Sequence, residues 1–316
     1  MNPLSALYGG VIGARNALYD RGVVRARVLG APVVSVGNIR VGGAGKTPFT
    51  ILLGELLKQR WMNFDVLSRG YKRQTTGVRV VDPEGSAEDF GDEPLLIAKR
   101  LGVPVIVAER RYEAGQVGEE RFQSKLHLLD DGFQHRQLAR QFDIVLVDES
   151  DLKGTLLPTG RLREPVSALW RADAFVTPMG GSDGKLAGFG KPIWRTRRRL
   201  VLEGGAPKRP VVFCGLARPD RFIADLRANG VEPVCVVQFP DHHHYTSKDL
   251  EQLRRAAERN SADGFITTEK DLMNLGGLIH QFPVISIPVL EMELLEANSC
   301  LDYMMQTIAA RRERRS

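Results

Sequence analysis

The stretch VVSVGNIRVGGAGKTPFT, Val33 to Thr50, restricts the fold more than any other part of the chain. A β-branched run leads into glycines, and then Gly45-Lys46-Thr47 opens an apolar helical pattern. Strand, glycine-rich loop and helix is the arrangement in which backbone N–H groups surround phosphate oxygens. In that arrangement Lys46 reaches the transferred phosphate and the Thr47 hydroxyl ligates Mg²⁺. Pro48 is tolerated because the first helical turn has free N–H groups anyway. The spacing is irregular, however: G-x-x-x-x-G-K-[ST] asks for a glycine where this chain has Arg40, and Gly37 lies three residues further out. The alternative is a glycine-rich turn in a Rossmann-like domain, but no G-x-G-x-x-G opens the helix. A GTPase would carry N-K-x-D; TTEKD (267–271) has similar residues in another order.

The segments around this loop alternate β-branched runs with helical stretches, which predicts an α/β fold with a mainly parallel sheet covered on both faces. The expected strands are VVSVG (33–37), FDVLS (64–68), VRVVD (78–82), VPVIVAE (103–109), KLHLLD (125–130), DIVLVD (143–148) and AFVTP (174–178). A loop of glycine and small residues follows (180–192), then IWRTRRRLVL, which reads as one strand or two short ones. A second α/β unit is expected from VVFCGL (211–216) through VCVVQF (234–239), GFITT (264–268) and PVISIPV (283–289). A terminal helix over about 291–312 ends in ARRERRS, a solvated basic end. With 316 residues there is room for two cores. The expected boundaries are 1–190 for the first domain with an N-terminal helix, 191–210 for a β linker, 211–290 for a smaller domain and 291–316 for the C-terminal helix and tail.

Open parallel sheets bind ligands beyond the carboxyl ends of their strands. Arg69 to Arg73 follow FDVLS, Arg110 and Arg111 follow VPVIVAE, Asp131 to His135 follow KLHLLD, and PDHHHY (240–245) follows VCVVQF. Basic, acidic and histidine-bearing loops along one edge suit a triphosphate with its metal. An apolar strand ending in acid is the usual place for a Mg²⁺ carboxylate. Asp130 and Asp131 fill it, diverging from an extended strand end, and Asp148 after DIVLV competes with them. Asp92, ahead of Glu93-Pro94 and an apolar run, reads as a helix N-cap worth ~1 kcal/mol. Three successive histidines make a poor metal site, but one is available as a base or its partner. GRLREP (160–165) is either a proline-ended turn or a means of bringing Arg163 and Glu164 to a nucleotide.

Net charge is +6, so the surface favours anions. Cys214, Cys235 and Cys300 form no CxxC pair, which argues for a reducing compartment and against a zinc site. No apolar run approaches the ~18 residues of a transmembrane helix. Near the N-terminus, Leu4, Leu7, Tyr8, Val11, Ile12, Leu18 and Tyr19 fall at helical spacing with Arg15, Arg21, Arg25 and Arg27 alongside. Two readings stand: a helix packed on the core, or one lying in the plane of an anionic bilayer.

Taken in order, GNIRVGGAGKTP, LSRGYKR, GDEP, AERR, LDDGFQH, GRLREP, FPDHHHY and TTEKD resemble the tetraacyldisaccharide 4'-kinase family of lipid A biosynthesis, from the N-terminal helix to about residue 275. The resemblance implies transfer of the ATP γ-phosphate to the 4'-hydroxyl of a tetra-acylated glucosamine disaccharide 1-phosphate. It implies a P-loop kinase of two α/β/α domains with a short β linker, acting peripherally at the cytoplasmic face of the bacterial inner membrane. By motif, Gly42, Gly43, Ala44, Gly45, Lys46 and Thr47 form the phosphate loop, and Asp130 and Asp131 are the Walker-B-like acids. Gln134 and His135 fall near the nucleotide, and Arg111, Arg163 and Glu164 near the phosphates or metal. Asp92 matches the catalytic aspartate and His242, the first histidine of DHHH, its partner, with His243 the competing choice. The cofactors implied are ATP and Mg²⁺, and the partners are the acylated disaccharide and, through the N-terminal helix, an anionic membrane surface. No obligate protein partner is implied. A P-loop ATPase of the switch or metallochaperone kind is the main rival. Nucleic-acid binding, suggested by RTRRRL, is disfavoured because aromatics do not interleave with the basic runs.

Overall fold

The computed structural model describes residues 2–181 and 184–314. Ser182 and Asp183 of the small-residue loop, and Arg315 and Ser316 of the basic tail, lie outside the described residues. In chain order the elements are α1 (Pro3–Asp20), β1 (Val33–Asn38), α2 (Lys46–Gln59), β2 (Phe64–Ser68), β3 (Arg79–Val80), α3 (Ala87–Phe90), α4 (Asp92–Leu101), β4 (Val105–Val107), α5 (Arg111–Phe122), β5 (Leu126–Asp130), β6 (Phe142–Leu146), β7 (Ala174–Pro178) and α6 (Gly184–Ala187). Then follow β8 (Ile193–Val201), β9 (Pro210–Cys214), α7 (Pro219–Ala228), β10 (Cys235–Gln238), α8 (Ser247–Arg259), β11 (Gly264–Ile266), α9 (Glu269–Leu275), β12 (Ile285–Ser286), β13 (Val289–Leu294) and α10 (Ala297–Glu313).

The larger sheet runs β13-β8-β7-β6-β1-β5-β2-β4-β3, parallel except at its two edges, where β3 and β13 pair antiparallel. β1 lies between β5 and β6; the chain builds β2 to β5 on one side of it and then crosses to β6 and β7 on the other, which opens a crevice at its carboxyl end. Every residue of β1, β2, β5 and β6 is buried, as continuous apolar runs in a doubly covered sheet require. One face packs on α2, α4 and α10 through Phe49, Leu53, Leu95, Ile97, Leu301 and Met304. The other face packs on α5 through Ala114 and on the turn of residues 166–171 through Leu169. The smaller sheet, β10-β9-β11-β12, is wholly parallel, with α7 on one face through Phe222 and Leu226 and α8 on the other through Leu250 and Leu253.

Three local expectations change. IWRTRRRLVL is a single strand, β8, and it joins the larger sheet rather than standing apart as a linker. PVISIPV is not one strand. Pro288 has no N–H to give a ladder, and the chain leaves the smaller sheet there, returning to the larger one as β13. The terminal helix therefore begins at Ala297, not near 291. EMEL alternates, and that period of two sets Glu291 opposite Arg199 and Glu293 opposite Arg197, pairs that support an antiparallel edge.

Helix α1 docks by polar contacts. Ser5 Oγ donates to the Leu156 carbonyl at 2.9 Å and Tyr8 Oη to that of Arg163 at 2.9 Å. Leu4, Leu7 and Val11 are each about 60–70% exposed, so the apolar positions of α1 do not pack on the core.

Candidate active site

The crevice at the end of β1 opens into a cleft of about 980 Å³ between the two sheets. Its floor is the glycine-rich loop. Gly42, Gly43 and Gly45 all take left-handed backbone angles (φ +64°, +56° and +80°), which turn the chain so that Lys46 opens α2. Space is as restrictive as angle here: a Cβ on Gly43 would stand 3.0 Å from Arg218 Cγ and one on Gly42 2.9 Å from Ala217 Cβ. The glycine pair thus lets a turn of the smaller lobe lie directly on the loop. Arg40 explains the irregular spacing. It is buried, donates from Nη1 to Asp151 Oδ1 at 2.9 Å, and sits 3.4 Å from the Gly43 carbonyl through Nη2. It braces the loop from behind, while Val41 N–H donates to the Arg161 carbonyl at 2.9 Å.

Beside this floor, the end of β5 supplies two diverging carboxylates. Asp130 accepts from Thr50 Oγ1 at 3.0 Å. Burial pushes its carboxyl up to about 7, and the charges of Glu93 and Asp131 add to the rise. Asp131 turns away at φ +49°, a left-handed angle that Asp tolerates. Its two oxygens take a forked pair of hydrogen bonds from Arg163 at 3.0 and 2.8 Å, and Lys46 Nζ lies 3.5 Å off. Burial opposes its ionisation, but Lys46, Arg163 and Arg111 outweigh burial and hold Asp131 far below the usual carboxylate range.

Arg111 opens α5, buried, with burial and then Arg69 drawing it down to about 10. Burial, then the charges of Arg111 and other arginines, lower His135 to about 3, so its ring is neutral. Gln134 donates to the Asn38 carbonyl at 2.8 Å and also lines the cleft. Glu164 does not line it. Arg171 holds both its oxygens, at 2.8 and 3.1 Å, and Asn16 of α1 donates to one at 2.8 Å. That engagement ties Glu164 to α1. Asp148 caps the turn of residues 149–153 and lies 3.7 Å from Arg40, away from the main cleft.

Across the cleft, Asp92 meets the smaller lobe. Gly91, at φ +89°, occupies the N-cap of α4, and Asp92 is the first helical residue. Its Oδ1 accepts from the Glu93 N–H at 2.8 Å, but both oxygens also face His242 Nδ1, at 2.9 and 2.7 Å, and Asn274 Nδ2 donates to Oδ2 at 3.0 Å. Burial pushes this carboxyl up. The His242 hydrogen bond and the Lys270 charge more than offset it, leaving Asp92 below the ordinary range. His243 is engaged elsewhere, with Asp249 at 3.1 Å and stacked on Phe239. Lys72 Nζ on the Asp241 carbonyl at 2.8 Å and Arg100 on Glu269 at 2.6 Å fasten the two lobes beside this pair.

Sequence pattern alone missed Arg40, Lys270 and Asn274. TTEKD was the available signal for Lys270; Asn274 carried none.

A family model described as Tetraacyldisaccharide-1-P 4'-kinase matches residues 1–309. The chain is 47% identical to the tetraacyldisaccharide 4'-kinase of Koribacter versatilis, over 98% of this chain and 99% of that one. It is 37% identical to that of Aquifex aeolicus, over 89% and 90%. The solved structure of LpxK from Aquifex aeolicus in complex with ATP superposes with a TM-score of 0.78 at 33% identity, covering 97% of this chain and 98% of that one. With the glycine–lysine loop, the paired acids and the Asp92-bonded His242 in one cleft, and a match along nearly its whole length, the chain belongs to the tetraacyldisaccharide 4'-kinase family.

Proposed function

We infer that this protein is an ATP-dependent kinase that phosphorylates the 4'-hydroxyl of tetraacyldisaccharide 1-phosphate in lipid A biosynthesis. The observation that carries the reading is the presence, in one cleft, of a phosphate loop and of His242, which is hydrogen-bonded to the buried Asp92 carboxylate. A sugar hydroxyl is a weak nucleophile, so catalysis is mainly alignment and neutralisation of phosphate charge. The loop from Gly42 through Ala44 to Thr47 supplies N–H donors, and Lys46, Arg111 and Arg163 supply cations, with Gln134 and His135 completing the wall. Asp92 accepts the 4'-hydroxyl proton, held in place by His242. Such a base contributes typically ~10²–10⁴-fold.

The residues fit Mg²⁺. Thr47, Asp130 and Asp131 form a hard oxygen set, and a divalent cation would offset the burial, and with it the repulsion from Glu93 and Asp131, that raises Asp130. Among the described residues no three His, Cys, Asp or Glu side chains form a metal cage. Mg²⁺ is commonly held through one or two carboxylates plus substrate phosphates. When bound, Mg²⁺ supplies charge neutralisation to the transferring phosphoryl group.

No helix among the described residues is long and apolar enough to cross a membrane. Supporting peripheral attachment at the cytoplasmic face of the inner membrane, α1 presents Leu4, Leu7 and Val11 outward, with Arg21, Arg25 and Arg27 just beyond it. Basic residues near anionic lipid contribute roughly 1 kcal/mol each. Flotation with phosphatidylglycerol vesicles is expected to carry the protein, and recovery wholly in the unbound fraction at low salt would reject attachment. The activity is tested with γ-labelled ATP and the acceptor in mixed micelles. Label is expected in the disaccharide; release of inorganic phosphate at the same rate with and without acceptor would instead mark a switch-type ATPase.

A further inference from the structure

The TTEKD segment has a use beyond those roles. Four of its five side chains hold the smaller lobe together or fasten it to the larger one. Thr267 Oγ1 donates to the Phe213 carbonyl at 2.9 Å, Thr268 caps α9 and donates to Asp271 at 2.6 Å, Glu269 pairs with Arg100, and Asp271 accepts from Gly215 N–H and Tyr245 Oη, both at 2.8 Å. Lys270 is different, because it extends into the cleft. Its Nζ lies 3.2 Å from His242 Nε2, 3.0 Å from Asp241 Oδ1, 3.7 Å from Glu93 Oε1 and 4.0 Å from Asp92 Oδ2.

An ammonium has three donors and no acceptor. Facing Nε2 at 3.2 Å it can only donate, so Nε2 carries the lone pair and the single ring proton sits on Nδ1, aimed at Asp92. A doubly protonated ring would set an N–H against the ammonium. We propose that Lys270 is a positioning residue that fixes His242 as the neutral, Nδ1-protonated tautomer. His242 then orients the Asp92 carboxylate and does not itself take the substrate proton. The inference rests on the assignment of Asp92 as base and adds what sets its partner's protonation state. The other groups facing the pair are Asn274 on Asp92, Asp241 Oδ2 at 3.7 Å from Nε2, Glu93, and the Tyr71 ring edge-on to His242 at 5.1 Å between centroids. Among these Lys270 is the cation; without it, the nearest charges to Nε2 are carboxylates, which favour a proton on Nε2 over a lone pair there. Glu93, Asp92 and Asp241 together outweigh burial and raise Lys270, so its charge persists at neutral pH.

The test uses the full chain labelled with ¹⁵N-histidine, with His242→Asn to assign the resonances. At pH 7 the wild-type His242 ring is expected to show a protonated Nδ1 and a bare Nε2. In Lys270→Met the Nδ1-protonated tautomer should no longer be the sole one, and proton occupancy should appear on Nε2. The acid limb of its kcat/KM profile should move up by about one pH unit, since Asp92 loses a neighbouring cation. Lys270→Arg, which keeps the charge, should bring the limb back. A proton on Nε2 in the wild type would overturn the proposal, and this readout needs no folded variant. So would an equal loss of activity at every pH in Lys270→Met. Failure of the base assignment would show separately, as an Asp92→Asn variant that keeps its turnover.

Discussion

The two walls of the cleft are built on different principles. The phosphate wall is local: a strand end, a glycine loop and a helix start within Val33–Thr50, with the neighbouring strand end of β5 beside it. The base wall is assembled across the chain, since Asp92 is 150 residues from His242 and 182 from Asn274. A local wall keeps its geometry as long as its sheet is folded. The assembled wall also needs the lobes held together, which is the work of Lys72 on Asp241 and Arg100 on Glu269. Damage to the first should therefore weaken nucleotide binding, and damage to the second should leave binding and lower turnover.

On the phosphate wall the largest break is expected from Lys46→Ala. It removes one preorganised donor and should lower kcat/KM by about 10²–10³-fold, with weaker ATP binding measured by calorimetry. His242→Ala comes next. Loss of a hydrogen bond to a charged group should lower kcat by about 10–100-fold, while ATP affinity stays near wild type. Gly43→Ala sharpens the contrast from the structural side. The left-handed angle costs about 1–2 kcal/mol, and the new Cβ meets Arg218, so the melting temperature should fall and the lobes should sit further apart by small-angle scattering.

The last test is a pH dependence of the metal-free protein. Asp130 has a folded-state value raised to about 7 by burial first and then by Glu93 and Asp131. A raised carboxyl contributes stability that is full below its unfolded value and is lost as pH rises through the folded one. Thermal stability without Mg²⁺ should thus decline from about pH 4 to pH 7, and Asp130→Asn should flatten that decline in scanning calorimetry.

Legibility in the sequence follows the same division. Asp130 and Asp131 stood out in the pattern because they lie where β5 ends, and strand ends are where parallel sheets bind ligands; Lys46 and Thr47 stood out because a glycine loop leads from β1 into the helix they open. Asp92 could not. An acid before an apolar helical run reads as a cap, and only the resemblance gave it another role; in the structure Gly91 takes the cap and leaves the Asp92 side chain for His242. The choice of His242 over His243 depended on a turn, with His242 at φ +59°, that no pattern specifies. β13 was misread because EMELLE has good helix formers, whereas its cross-strand partners Arg197 and Arg199 lie about ninety residues away. Arg40 seemed a defect in a motif, and its partner Asp151 is 111 residues distant.

The central claim is that the two walls divide binding from chemistry, and Asp92→Asn tests it most directly when kcat and the ATP dissociation constant are measured on the same preparation. A fall in kcat of about 10²–10⁴-fold with ATP binding little changed is the predicted result. An unchanged kcat with an earlier melt would return Asp92 to the role of a helix-start residue, and a parallel loss of ATP binding would show that the walls do not act separately.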